Sequence, residues 1–299
     1  MTSLITTVVC HTYALVWLIP HFLTAVALYL ALLGEVVMLA TLCGLLFSCT
    51  QVRFKTRDRF TRWLHKIFLR SFNGISVVRL DINGQTSRRT MYCFHPHAMV
   101  ANGFGLGLLS IVSLGQTPAT IAVARSLFWL NPVFRWLVNS HDIEMCTVSR
   151  ADLHRHMQQG RTIGICPGGF EEALFMRKDC DVLFLSRRTG FVHLAIDYNY
   201  KIVPVLTFGE SKIYENVVVA PDWLKAIVAR CGIPLVWPRG TSSWSFNPYR
   251  PSAGLRIVFG ESLSTDSETY EAVHSKYIDH ISILYRRFNL YREQQLVIL

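Results

Sequence analysis

The sequence predicts an α/β protein: a layered domain with a mostly parallel sheet, preceded by an N-terminal hydrophobic helical hairpin in a membrane. Three observations predict it. Strand-like and helical runs alternate from residue 75 onward, the pattern of a largely parallel sheet covered by helices. The stretch Leu4–Cys49 carries one charged side chain, Glu35. Basic residues crowd the segment that follows it. Hydrophobic residues make up 51% of the 299 and charged residues 17%, more apolar and less charged than an average soluble domain.

The apolar stretch would reach ~70 Å as one helix at about 1.5 Å per residue, more than twice a hydrocarbon core of about 30 Å. One crossing cannot use it all. Pro20-His21 marks where two helices meet, because proline breaks the hydrogen-bond ladder and fixes its own φ. A helical hairpin over residues 1–50 follows. No basic n-region precedes it and the run is too long for a cleaved signal peptide. Between Gln51 and Thr90 lie Arg53, Lys55, Arg57, Arg59, Arg62, Lys66, Arg70, Arg79, Arg88 and Arg89, opposed by Asp58 and Asp81. Basic residues just past a membrane segment mark its cytoplasmic side. Within residues 51–74, Phe60, Trp63, Leu64, Ile67, Phe68 and Phe72 fall at helical spacing, with Arg59, Arg62, Lys66 and Arg70 on other faces. A basic amphipathic helix of this kind suits a membrane interface; packing on the core is the alternative.

Residues 75–299 form the expected cytosolic domain. Ile75–Leu80 and Met91–Phe94 read as strands around an Asn83-Gly84 turn. A helix is expected from Ala98 through Gly115. Its glycines Gly103, Gly105 and Gly107 lack the full dinucleotide-loop spacing and suit close packing. Further strands are expected at Thr120–Ala124, Thr162–Cys166, Ile202–Phe208 and Leu255–Phe259. Helices are expected at Ser149–Gln159, where Ser149 and Asp152 have capping-box-like spacing, and at Gly190–Tyr198 and Tyr270–Phe288. The Trp- and Pro-rich segment Pro221–Pro251 reads as a surface subregion.

The net charge is +10 and the pI about 9.4. A basic balance fits nucleic acid, an anionic membrane face or a phosphorylated substrate. Nucleic acid is excluded as a partner, because the excess charge lies next to the apolar segment rather than along a polar arm. The eight cysteines include no CxxC pair, so neither a disulfide framework nor a zinc site is expected.

Three clusters could carry chemistry. His95-Pro96-His97 ends a strand before a helix, where side chains line the crevice of an α/β sheet and helix amides are free. A neutral imidazole there can take a proton from an alcohol, and the following amides could hold an oxyanion. Core packing and metal binding are the competing readings. A zinc site would need further ligands, and His154 and His156 are expected on an exposed helix. Cys93 is a poor nucleophile in an apolar strand, and Ser140-His141-Asp142 is contiguous, which does not by itself make a triad. Pro167-Gly168-Gly169-Phe170-Glu171-Glu172 follows a strand: the glycines allow a tight turn or close ligand approach, and carboxylates suit a helix start. Arg187-Arg188 just before a helix could hold a phosphate or pair with Glu172.

Taken together, these clusters resemble the type-2 diacylglycerol acyltransferase family, which includes monoacylglycerol and wax-alcohol acyltransferases and is related to glycerophosphate-type acyltransferases. The block HPHG appears as His95-Pro96-His97-Ala98. PGGxxE appears as Pro167 through Glu172, with Glu172 at the matching acid, and RxGFVxLA as Arg188 through Ala195. VPxxxFGE appears as Val203 through Glu210. Val148-Ser149-Arg150 and Phe259-Gly260-Glu261 also match family positions, and so does the apolar hairpin. Two positions depart. Ala98 replaces the family glycine; alanine is acceptable there if φ is negative, and its methyl would otherwise narrow the pocket or bend the turn. Asn102 stands five residues after His97, where the glycerophosphate relatives carry an acid.

The resemblance implies a glycerolipid-acyltransferase-like fold and a membrane-bound O-acyltransferase. The acyl group would pass from acyl-CoA to the hydroxyl of a neutral lipid, with diacylglycerol the first choice and monoacylglycerol or a wax alcohol the alternatives. It implies His97 as general base, with His95 shaping the site by hydrogen bonding. Glu172 would hold Arg188 or position an imidazole. Arg187 and Arg188 would face the coenzyme A phosphates, and Gly168, Gly169 and Asn102 would line the substrate site. Acyl-CoA enters as a co-substrate, with no cofactor and no metal. The expected location is the endoplasmic reticulum membrane with the catalytic domain in the cytosol, extending to lipid droplets; a homo-oligomer is compatible with this. Readings of other classes are a catalytically degenerate lipid-binding scaffold, motivated by Ala98, and a metal-dependent membrane hydrolase.

Overall fold

The computed structural model describes residues 26, 29, 75–80, 89–98, 101–113, 119–139, 143–175, 180–213, 215–216, 223, 238–239, 254–266, 268–291 and 293–299. The hairpin of residues 1–50 (apart from Val26 and Tyr29, both helical), the interfacial segment 51–74, the Asn83-Gly84 turn, Ser140-His141-Asp142 and most of Pro221–Pro251 lie outside the described residues. Among the described residues no helix is long and apolar enough to cross a membrane.

Eleven strands and eight helices are described. The strands are β1 (Ile75–Arg79), β2 (Thr90–His95), β3 (Ala119–Val123), β4 (Ile143–Thr147), β5 (Thr162–Ile165), β6 (Cys180–Leu183), β7 (Lys201–Phe208), β8 (Glu215–Asn216), β9 (Pro238–Arg239), β10 (Leu255–Phe259) and β11 (Gln295–Ile298). The helices are α1 (Asn102–Ser113), α2 (Arg125–Leu130), α3 (Pro132–Asn139), α4 (Arg150–Gln158), α5 (Phe170–Leu174), α6 (Gly190–Asp197), α7 (Glu210–Ile213) and α8 (Tyr270–Phe288).

A seven-stranded sheet runs in the order β1-β10-β7-β2-β5-β3-β4. From β7 to β4 all neighbours are parallel. β10 meets β7 antiparallel and β1 parallel, so β1 and β10 run the other way. The expected α/β class with a mostly parallel sheet holds. β11 pairs with β6 and β8 with β9 in two-stranded ladders.

Strand residues alternate between two cores, as the pleat requires. On one side Met91, Cys93, Leu206 and Phe208 meet Leu153, Met157, Phe191, Ala195, Tyr277 and Ile281 from α4, α6 and α8. On the other, Tyr92, Phe94, Val203 and Val205 meet Phe104, Leu106, Leu108 and Ile111 from α1. A strand buried on both faces reads as one apolar run, which is why β7 was legible. The glycines of α1 do pack closely at two of three positions. A Cβ at Gly103 would meet Thr207 Oγ1 at 2.0 Å and one at Gly107 would meet Phe94 Cε1 at 2.4 Å, whereas Gly105 faces open space.

The expected start of α1 at Ala98 is corrected. Ala98 and Ala101 have φ of 45° and 53°, which a right-handed helix cannot contain, so the helix begins at Asn102. Ser149 caps α4 by accepting from the Asp152 amide. His156 on that helix is buried, not exposed as expected, and burial lowers its affinity for a proton.

Away from the sheet's crevice, Asp181 is buried and accepts from Ser211 Oγ, Tyr285 Oη and Gln294 Nε2 at 3.1, 3.0 and 2.9 Å. Burial pushes its carboxyl up to about 6 despite these donors. The cluster ties β6, α7, α8 and the turn before β11 together.

Candidate active site

Because β5 and β7 flank β2 and both run parallel to it, the carboxyl ends of all three open on one edge of the sheet, the edge where α/β folds place ligands. β2 delivers His95-Pro96-His97, β5 the Pro167-Gly168-Gly169 turn, and β7 the Gly209-Glu210 pair. Three blocks far apart in sequence thus converge by topology.

His95 is fully buried, and its Nε2 lies 2.7 Å from the Tyr277 hydroxyl. Its Nδ1 lies 3.7 Å from Glu172 Oε1 and has no hydrogen-bond partner. The peptide between His95 and Pro96 is cis. His97 is half-buried. Its backbone N–H donates to Glu172 Oε2 at 2.6 Å, and its Nδ1 lies 2.8 Å from the Ala98 carbonyl. A carbonyl only accepts. Nδ1 therefore carries the proton in neutral His97, and Nε2 keeps its lone pair.

Glu172 is 1% exposed. Besides the His97 amide it accepts from the Phe184 amide, at Oε1 and 3.1 Å. The expected pairing of Glu172 with Arg188 is corrected: Arg188 ion-pairs with the adjacent Glu171. Helix periodicity explains the split, since successive residues of α5 point about 100° apart. Arg187 is exposed. Gly168 makes room for the carboxylate, because a Cβ there would lie 1.7 Å from Glu172 Oε1. Gly169 turns the chain into α5 at φ 66°, a region that favours glycine.

The α1 amides expected to hold an oxyanion are occupied. Glu210 accepts from the Asn102 and Gly103 amides at 2.5 and 3.1 Å, a carboxylate at the positive end of a helix. Burial pushes Glu210 up to about 7, with both amides pulling the other way. Asn102 thus anchors α1 through its backbone amide, and its buried side-chain Nδ2 has no hydrogen-bond partner among the described residues, the His97 imidazole included. Cys93 is no nucleophile: burial pushes its thiol well above the ordinary range. Cys93, Cys146, Cys166 and Cys180 are free thiols. Among the described residues no three His, Cys, Asp or Glu side chains gather as metal ligands.

Sequence reasoning missed Tyr277, the Phe184 amide and the capping role of Glu210. Only Glu210 left a signal, its place in the Phe208-Gly209-Glu210 block. A tyrosine inside an amphipathic helix looks like any core residue.

A family model described as diacylglycerol acyltransferase matches residues 26–298. The chain belongs to the diacylglycerol acyltransferase family. It is an O-acyltransferase by class, as are its similar relatives. It is 26% identical over 258 residues to diacylglycerol O-acyltransferase 2A of Umbelopsis ramanniana, covering 76% of this chain and 70% of that one. It is 27% identical to 2-acylglycerol O-acyltransferase 1 of Bos taurus, covering 67% and 65%. It is 26% identical to acyl-CoA wax alcohol acyltransferase 2 of Homo sapiens, covering 71% of each chain. These alignments span about two thirds of the relatives' own lengths. Among solved structures, the 1-acyl-sn-glycerophosphate acyltransferase PlsC of Thermotoga maritima aligns at TM-score 0.45 and 14% identity, covering 92% of this chain and 99% of that one.

Ala98, where the diacylglycerol acyltransferase motif quoted above has glycine, does not have the negative φ that alanine prefers. At φ 45° an alanine costs about 1–2 kcal/mol. Glycine would relieve this but give up one buried methyl, about 0.8 kcal/mol, and add unfolded-chain freedom worth about 0.4–1 kcal/mol. The terms offset, so Ala98→Gly is expected to shift the unfolding free energy by less than about 1 kcal/mol. Ala98→Val, β-branched in a left-handed and buried position, is expected to cost about 2 kcal/mol or more. Denaturant melts of the two variants check this; a Gly variant weakened as much as the Val variant would contradict the left-handed assignment.

Proposed function

We propose that this chain transfers a fatty acyl group from acyl-CoA to the hydroxyl of a neutral lipid, diacylglycerol first, giving triacylglycerol. The observation that carries the reading is the His97 tautomer. The Ala98 carbonyl holds the proton on Nδ1, so Nε2 is a bare base on a half-buried ring at the sheet's carboxyl edge. Nε2 takes the acceptor's hydroxyl proton as the oxygen attacks the thioester carbonyl. The tetrahedral intermediate collapses with cleavage of the C–S bond. The departing coenzyme A thiolate takes the proton from the imidazolium, leaving ester, free thiol and neutral His97. No covalent enzyme intermediate is needed.

Glu172 holds the His97 backbone at the attack position. Arg187, exposed in the turn that follows Phe184, is the cation proposed for the coenzyme A phosphates, with Arg188 balanced by Glu171. The apolar Leu4–Cys49 stretch supports a membrane anchor, which suits a reaction between one lipid-dissolved and one aqueous substrate. The endoplasmic reticulum membrane and the lipid-droplet surface, with the catalytic domain in the cytosol, are the proposed locations. The names of the similar relatives keep monoacylglycerol and long-chain alcohol as the other acceptors to be tested.

The test is one assay: membranes from cells expressing the chain, labelled acyl-CoA, and diacylglycerol, monoacylglycerol or long-chain alcohol in turn. Labelled triacylglycerol is expected to form fastest. Ester from another acceptor alone would keep the reaction and change the acceptor. No ester from any of the three would end the reading.

A further inference from the structure

We infer that Tyr277 is a positioning residue for the acyl transfer, acting on His97 through His95 and Glu172; the inference rests on the His97 reading above. Tyr277 lies in the middle of α8, fully buried, with Phe191 packed edge-on to its ring at 4.9 Å between centroids. Its hydroxyl reaches back across 182 residues of sequence to His95 Nε2 at 2.7 Å. Two proton arrangements satisfy that contact. If His95 Nε2 donated, its Nδ1 lone pair would point toward Glu172 Oε1 at 3.7 Å, one electron-rich atom against another in a site that excludes water. If the Tyr277 hydroxyl donates, Nδ1 carries the proton and turns a positive edge to the carboxylate. At low local dielectric the second arrangement wins by a wide margin.

The remaining groups agree. Burial pushes the Tyr277 hydroxyl well above its ordinary range, so it keeps its proton and stays a donor. Glu172 therefore selects the His95 tautomer, Tyr277 holds that ring in place by donating to its Nε2, the Nδ1–H faces Glu172, and Glu172 grips the His97 amide at 2.6 Å. Each group is buried until the last, so the order of the catalytic ring is imposed from inside the fold. Phe191, from the Arg188–Ala195 block, gains a purpose as the wall that fixes the Tyr277 ring.

The experiment uses the full chain in membranes, with acyl-CoA and whichever acceptor the wild type esterifies. Tyr277→Phe removes one oxygen and is expected to lower kcat about tenfold, the size of one positioning hydrogen bond. KM for acyl-CoA should stay within about twofold of the parent's. In the His95→Asn background, which keeps a donor where Nδ1 was but has nothing at Nε2, the same change should cost nothing further. Full kcat in Tyr277→Phe overturns the inference, and so does an equal loss in both backgrounds, which would mean packing alone. Should Tyr277→Phe not fold, His95→Gln and His95→Asn decide instead. The glutamine keeps a partner for Tyr277 but withdraws the donor from Glu172, and is expected to lose more activity; the reverse order overturns the inference. Activity in His97→Ala would sink the base assignment itself, an outcome separate from all of these.

Discussion

Replacing His97 with alanine is expected to lower kcat about 10²–10⁴-fold, the range a positioned general base contributes, while the protein stays folded. The imidazole is half-buried and its described ring contact is to the carbonyl of the buried Ala98, so its removal leaves one acceptor to be met by water in the space the ring vacates. Cα and the backbone N–H held by Glu172 remain. Stability should therefore move by less than about 1 kcal/mol, the size of one ordinary hydrogen bond, in contrast to what losing His95 would do to Tyr277. The loss should fall on kcat more than on KM, because the base acts in the transition state rather than in binding either substrate. Turnover within tenfold of the parent's would remove His97 from the chemistry.

Glu172→Gln is expected to cost both activity and stability. The carboxylate accepts two backbone amides, from His97 and Phe184. A glutamine offers one carbonyl oxygen for one of them and turns an N–H toward the other. A buried amide left unpaired costs about 1–3 kcal/mol, and the freed His97 backbone should lower kcat by about 10²-fold, since a small misplacement of a catalytic group is felt steeply. Gly168→Ala should reproduce the loss with the carboxylate intact, because the new Cβ would stand 1.7 Å from Oε1. Oε1 ends a flexible chain and can move, but only by releasing the Phe184 amide it holds and turning Oε2 away from the His97 amide. Melting curves and turnover for the pair check this. A Gly168→Ala enzyme with parental kcat would separate Glu172's position from the activity.

The blocks around the site were legible in sequence because each is local chemistry at a strand end: a proline between histidines, a double glycine, an arginine pair before a helix. The sheet's class was legible because doubly buried strands are apolar runs. β4 and β6 were not, since Glu144 and Asp181 interrupt short strands and give them no clear period. Nor was α2-α3 (125–139), where Pro132 opens a helix that directly follows another. The partners across the site could not be read at all. Glu171 and Glu172 are neighbours, and nothing in their order says which faces Arg188. Tyr277 and His95 meet only because α8 lies across β2, and that crossing is a property of the tertiary fold. The φ of Ala98 could not be read for a related reason: it is set by the turn between β2 and α1, not by the preference of alanine.

The order of the sheet also bears on how the chain is made. β2, which carries the histidines, is flanked by β5 and β7, both translated after it, and the helix bearing Tyr277 comes later still. At roughly 5–20 residues per second, the 182 residues between His95 and Tyr277 take about ten to forty seconds to emerge. For much of that interval an apolar strand waits with open edges, the situation in which nascent chains pair wrongly. A ribosome pausing before β7 would lengthen that wait; one pausing after it would not, because β2 then has both neighbours. The candidate site is thus complete only once α8 has arrived, and no half-made chain carries it.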